Sequence, residues 1–213
     1  SKRELATALL DRAQVLEDRF GQPLDARTTL RQATEECPED NAAALFLELS
    51  ARSAGDKQTL RRALDLQCAH TGDARLRAAL LLELAALEES EHNIDRALAL
   101  LGEAAALPGT EWRTWERLER LARRQGRNGD VIAALEGRAV LAMTAAGDPA
   151  HIADSRFSSV EDALAEAGVL WYEAGRLREA VGDLDGAMEC FSHAVASNGE
   201  DVLFRLSQMA LAD

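Results

Sequence analysis

The stretch Gly168–Asp201, GVLWYEAGRLREAVGDLDGAMECFSHAVASNGED, decides how the rest of the chain is read. Trp171, Ala174 and Gly175 share one helical face. Gly182-Asp183 then breaks the pattern, and Ala187, Phe191 and Ala194 resume it at spacings of four and three. Apolar residues three and four apart, interrupted by a Gly-Asp pair, spell two helices folded back on each other. A small residue allows close approach, and a large apolar one fills the space a turn further on. Asp183 is placed to cap the second helix.

Outward from this hairpin the same pattern recurs. Leu5, Leu9, Ala13 and Leu16 share a face that ends at Phe20-Gly21, and Pro23 opens a helix that Pro38 closes. Further helices are expected near 41–53 and 57–70 around Gly55-Asp56, near 73–91 and 94–107 before Pro108-Gly109, and near 111–125 and 129–146. A breaker-rich stretch, 147–157, precedes helices near 158–181, 184–197 and 200–212. Strand-like alternation is absent throughout. Alanine and leucine make up about a third of the residues, a helix-forming palette. Short turns make sequential helices antiparallel neighbours.

These hairpins resemble the tetratricopeptide repeat (TPR) family, a 34-residue helix–turn–helix unit. Residues 168–201 match it well, with Ala174 where leucine is usual and Arg178 where tyrosine is usual. The segment 7–40 carries Ala13, Gly21, Ala26, Leu30, Ala33 and Pro38, and 78–111 carries Leu81, Leu84, Ala85, Ala97, Leu101 and Ala104. Weaker copies cover 41–77 and 112–148. The second-helix alanines Ala63 and Ala97 lie 34 apart, whereas Ala26 to Ala63 and Ala97 to Ala134 each span 37 and Ala134 to Ala187 spans 53. The resemblance implies an all-α, right-handed α-α superhelix, or solenoid, of about five irregular hairpins plus a terminal helix. It would form one domain over 1–213 with an irregular break near 147–160. Another kind of helical-repeat solenoid is the alternative.

In such an array the first helix of each pair lines a concave groove. The family's groove positions fall on Asp11, Val15 and Asp18; on Leu45, Leu49 and Arg52; on Leu82, Ala86 and Glu89; on Glu119 and Arg123; and on Tyr172 and Arg176. The resemblance implies that these residues bind a peptide or partner helix, and the apolar ones could equally contact neighbouring helices. Lys2 and Lys57, the only lysines, do not map to the groove, which argues against a lysine clamp for a C-terminal carboxylate. Trp112 and Trp115, three apart on one face, are either packing between hairpins or a second partner anchor. Phe157 is a plug or contact beside the break.

With 24 basic and 37 acidic side chains the net charge is −13. That balance disfavours nucleic acid and anionic membrane surfaces and favours a basic or amphipathic protein partner. No nucleophile elbow, zinc-protease motif, phosphate-binding loop or dinucleotide fingerprint occurs. His70, His92, His151 and His193 are isolated, carboxylate pairs such as Glu88/Glu89 read as solvated helix faces, and neither an enzyme nor a metal or other cofactor is expected. Cys37, Cys68 and Cys190 are expected as unpaired small hydrophobes in a reducing, cytoplasmic setting. The opening without methionine and the close in mid-pattern suggest a piece of a longer protein. The expected role is a protein–protein interaction scaffold. The alternatives are a regulatory or sensor module of a larger protein, or a spacer that self-associates through the apolar faces of 1–16 and 200–212.

Overall fold

The computed structural model describes residues 1–148, 152 and 156–197. Among them are ten helices: α1 Lys2–Asp18, α2 Pro23–Glu36, α3 Asn41–Ala54, α4 Lys57–His70, α5 Ala74–Ser90, α6 Ile94–Ala105, α7 Trp112–Arg124, α8 Asn128–Gly147, α9 Val160–Ala180 and α10 Leu184–Ser197. They pair as five hairpins, α1/α2, α3/α4, α5/α6, α7/α8 and α9/α10. The all-α hairpin repeat expected from the sequence is what the chain forms, and the helices expected at 57–70 and 184–197 have those bounds. The expected helix over 200–212, and with it half of the proposed self-association surface, lies outside the described residues, as does His151.

The chain divides into two compact units, Ser1–Thr110 and Glu111–Asp213. The first holds three hairpins, in which α2 packs on α3 and α4 on α5. The second holds two, and α9 packs on both α8 and α10.

Polar turn residues start the helices. Asp40, Asp56 and Asp73 accept backbone N–H bonds from Ala42 (3.0 Å), Thr59 (3.0 Å) and Arg75 (2.8 Å), each satisfying a donor the helix itself leaves open. Asp183 does the same for Gly186 at 3.0 Å and is also paired with Arg178. The Gly186 N–H first, and the Arg178 guanidinium after it, hold the Asp183 carboxyl below the usual carboxylate range. At the same turn Gly182 has φ +84°, a left-handed backbone that favours glycine.

The hairpin alanines set the core. Ala26, Ala63, Ala97, Ala134 and Ala187 are all fully buried, so the uneven spacings of 34, 37 and 53 keep one structural phase. Among the described residues part of the extra length lies in α8 and α9, which run to 20 and 21 residues. In α9/α10 the close approach expected from the sequence is explicit: a Cβ on Gly175 would come within 2.6 Å of the Phe191 ring, which is itself fully buried.

One expectation fails. Glu88 is not on a solvated face but 1% exposed. Its carboxylate accepts from Arg61 Nε at 2.7 Å and from Asn93 Nδ2 at 2.7 Å, and lies 3.1 Å from Arg96 Nε. The partners come from the second helices α4 and α6 and from the α5–α6 turn, so the run Glu88-Glu89 cannot show them. A buried carboxylate is tolerable here because it is charge-paired and fully hydrogen-bonded.

Candidate functional site

Helices α1 and α3, the first helices of consecutive hairpins, leave a cleft of about 410 Å³ between them in the first unit. Leu10 and Ala13 from α1 and Leu30 from α2 form its apolar floor, and Phe46 and Leu49 from α3 form one wall. Helical spacing explains the split character of α1. Leu9, Ala13 and Leu16 turn toward the hairpin, whereas Asp11, Gln14, Glu17 and Asp18 remain exposed along the rim. Thr7, Ser50 and Ser53 complete the lining, which includes no cationic side chain. Phe46 and Leu49 are about half exposed, at 48% and 53%, and stand three residues apart on α3, so both are open to a partner that enters the cleft.

Within each unit the groove residues expected from the sequence have different surroundings. Leu49, Asp11 and Asp18 line the cleft. Val15 and Leu45, at 47% and 48% exposure, sit on the same two helices outside its lining. Leu82 packs against the core cluster that holds Leu64, Leu80 and Leu84, and Ala86 is exposed on α5. Tyr172 is half-buried, its ring tilted against Phe191 at 5.6 Å.

Two of the expected groove arginines, Arg52 and Arg123, are staples between first helices. Arg52 bonds Glu48 on its own helix at 2.8 Å and reaches Glu83 of α5. Glu48 also accepts from Gln67 of α4 at 2.5 Å. In the second unit Arg123 bonds Glu119 at 2.8 Å and Glu173 of α9 at 2.5 Å, while Glu119 is also held by Arg138. Arg176 pairs with Glu179 of its own helix at 3.2 Å. Each pairing sets a carboxylate beside a partly exposed arginine.

Trp115 lies over Gly137 of α8, where a Cβ would approach the indole within 2.5 Å. Trp112 meets Phe157 edge-on at 5.5 Å, and the guanidinium groups of Arg138 and Arg156 sit 4.6 and 4.4 Å from its ring centroid. Its Nε1 donates to Glu116 at 2.8 Å. Phe157 is 9% exposed and serves as a plug. Both tryptophans therefore pack inside the second unit, against α8 and the segment leading into α9.

The sequence reading missed Leu10, Gln14, Glu17 and Phe46. Phe46 was within reach of it: an aromatic directly after Leu45 widens the apolar arc of α3 beyond what one buried face needs. Cys37, Cys68 and Cys190 are buried and unpaired. Burial and the neighbouring Glu136 push the Cys190 thiol up to about 12. That leaves it a packing group rather than a nucleophile. Among the described residues no group of three or more His, Cys, Asp and Glu side chains could hold a metal ion. Nor is any described helix long and apolar enough to cross a membrane.

The helical hairpins are similar to those of tetratricopeptide repeats. No protein-family model matches the chain, and no curated protein matches it. Among solved structures it is similar to MamA, at 15% identity over 86% of this chain and 93% of that one, with a TM-score of 0.41. It is similar to YrrB, described as a TPR protein with an unusual peptide-binding site, at 12% identity over 96% and 92% of the two chains and a TM-score of 0.42. It is also similar to pilF of Pseudomonas aeruginosa, at 15% identity over 99% and 84%, with a TM-score of 0.36. Likenesses this loose carry no argument about a partner or a site.

Proposed function

We propose that this protein is an interaction scaffold whose α1/α3 cleft receives a basic or amphipathic segment of a partner protein. The observation that carries this reading is the cleft's composition: an apolar floor and wall, a rim of carboxylates, and no cation in the lining. Asp11, Glu17 and Asp18 show no ion pair among the described residues, so their charge is available to a partner. Burying Phe46 and Leu49 would supply affinity at roughly 25 cal/mol per Å² of apolar surface, less the cost of ordering the partner. The carboxylates would supply orientation and on-rate. Three unpaired buried thiols fit a reducing compartment, and the role requires no catalysis and no cofactor.

The test uses a fluorescent amphipathic Lys/Leu helix as probe and anisotropy as readout, with a Phe46→Arg/Leu49→Arg variant beside wild type. A Val140→Arg/Val181→Arg variant, equally exposed positions in the second unit, carries the same added charge. Loss of at least about tenfold in affinity in the cleft variant alone is the expected result, since apolar contacts at a desolvated centre dominate binding energy. Equal weakening in both variants would reduce the interaction to net charge and overturn the reading.

A further inference from the structure

The hydrogen-bonding groups of the α1/α3 cleft decide which backbone conformation an occupant can bring. Asp11, Glu17 and Asp18 accept hydrogen bonds and donate none. The Thr7 hydroxyl donates to the Arg3 carbonyl at 2.9 Å and the Ser53 hydroxyl to the Ser50 carbonyl at 2.9 Å, so both hydrogens are already used. Ser50 is 5% exposed, and its oxygen accepts from Arg27 Nε at 3.4 Å. The lining residues all lie beyond the first turn of α1, α2 or α3, so their backbone N–H groups are bonded within the helix. Among the lining residues, the Gln14 side-chain amide is the donor left open to a partner's carbonyl.

An extended segment carries an N–H and a C=O on each residue with no partner of its own. Laid along the cleft with side chains against the floor, it turns those groups sideways, toward the α1 carboxylates or toward Phe46 and Leu49. Its carbonyls would then face negative charge on one side and hydrocarbon on the other. Carbonyls stripped of water without a donor weaken binding. A helix bonds these groups internally except at its ends and presents side chains alone to the cleft. Resting on the proposed scaffold function, we infer that the cleft takes the basic, amphipathic segment of its partner as an α-helix and discriminates against the same segment in extended form.

The apolar stripe of that helix, at spacings of three and four, covers Phe46 and Leu49 and the floor of Leu10, Ala13 and Leu30. Lysines or arginines on the flank nearer α1 donate to its carboxylates, and their long side chains leave the register free. Affinity comes from side chains. Selectivity for a helix comes from the donors that the cleft lacks.

The experiment gives the full chain a flexible Lys/Leu peptide with isotope-labelled backbone carbonyls and reads the bound peptide by isotope-edited infrared absorption. A helical amide band is expected. By anisotropy, a stapled helical peptide should bind at least about tenfold more tightly than a linear peptide of equal composition with Lys and Leu alternating. Thr7→Asn/Ser53→Asn adds amide donors to the lining and should tighten the alternating peptide by at least about threefold, leaving the stapled helix unchanged. An extended amide band, or an alternating peptide that gains nothing from the added donors, would overturn the conformational rule. So would equal affinity for the two patterned peptides with both lost in Phe46→Arg/Leu49→Arg, which leaves the scaffold reading standing. Binding insensitive to the Phe46→Arg/Leu49→Arg change would remove both.

Discussion

Gly175 and Phe191 show how a single hydrogen atom governs a helix crossing. The Phe191 ring occupies the space that a Cβ on Gly175 would need, with its nearest carbon 2.6 Å from the Cβ position. Because the ring is fully buried, it has no open side toward which to move. Gly175→Ala gains helix propensity of about 1 kcal/mol in isolation, but the clash in a closed core costs about 1–3 kcal/mol. The expected net result of Gly175→Ala is lower stability in urea unfolding, with part of the loss recovered in Gly175→Ala/Phe191→Leu. A Gly175→Ala variant more stable than wild type would show that the crossing relaxes easily. The aromatic–glycine pairing was legible in the sequence for this hairpin, because both residues fall in the best-matched stretch. Its counterpart, Trp115 over Gly137, was not. There the glycine sits on the second helix and the aromatic on the first, opposite to the order in α9/α10.

At the level of elements, the turns follow a common plan with one departure. Gly21, Gly55, Gly126 and Gly182 adopt positive φ within hairpin turns, and in the α5/α6 turn that place is taken by His92, at φ +63°. A β-carbon in this region costs about 1–2 kcal/mol, partly offset by the lower unfolded-state entropy of a non-glycine residue. The His92 side chain is exposed, so its removal sacrifices little packing. His92→Gly should therefore raise stability by about 0.5–1 kcal/mol, read as an upward shift in Tm, while Ala86→Gly, at an exposed interior position of α5, should lower it. A fall in Tm for His92→Gly would mean that the imidazole contributes more than its exposure suggests. The sequence located this turn from the helix patterns on either side. The left-handed backbone was hidden, because a histidine does not announce it as a glycine does.

For the whole molecule, charge is the property that unites composition with binding. The net −13 is unevenly compensated. Arginines such as Arg52 and Arg123 are drawn into pairs with carboxylates on neighbouring helices, and the rim of the α1/α3 cleft keeps its negative charge unpaired among the described residues. Exposed pairs of this kind add only about 0–1 kcal/mol each to stability, so their larger consequence is where they leave charge uncancelled. A basic helix should bind with marked salt sensitivity, losing about tenfold in affinity between about 50 and about 300 mM salt, mainly through a slower association rate. Stopped-flow measurements across that range check this. Salt-independent affinity would place the binding energy in apolar contact alone.

Helix positions, hairpin pairing and the alanine phase were determined by the sequence itself, because they depend on local periodicity, turn residues and the size of a side chain at a crossing. The burial of Ala26, Ala63, Ala97, Ala134 and Ala187 follows from the same local rules. Only the tertiary structure decided which carboxylates and arginines would meet. Arg52 finds Glu83 across 31 residues and Arg123 finds Glu173 across 50, and no pattern in either helix alone distinguishes a stapled arginine from a free one. The burial of Glu88 and the opening of a cleft between α1 and α3 are of that kind. Both depend on how neighbouring helices approach one another, and that distance is set by the sum of many contacts rather than by any single stretch of sequence.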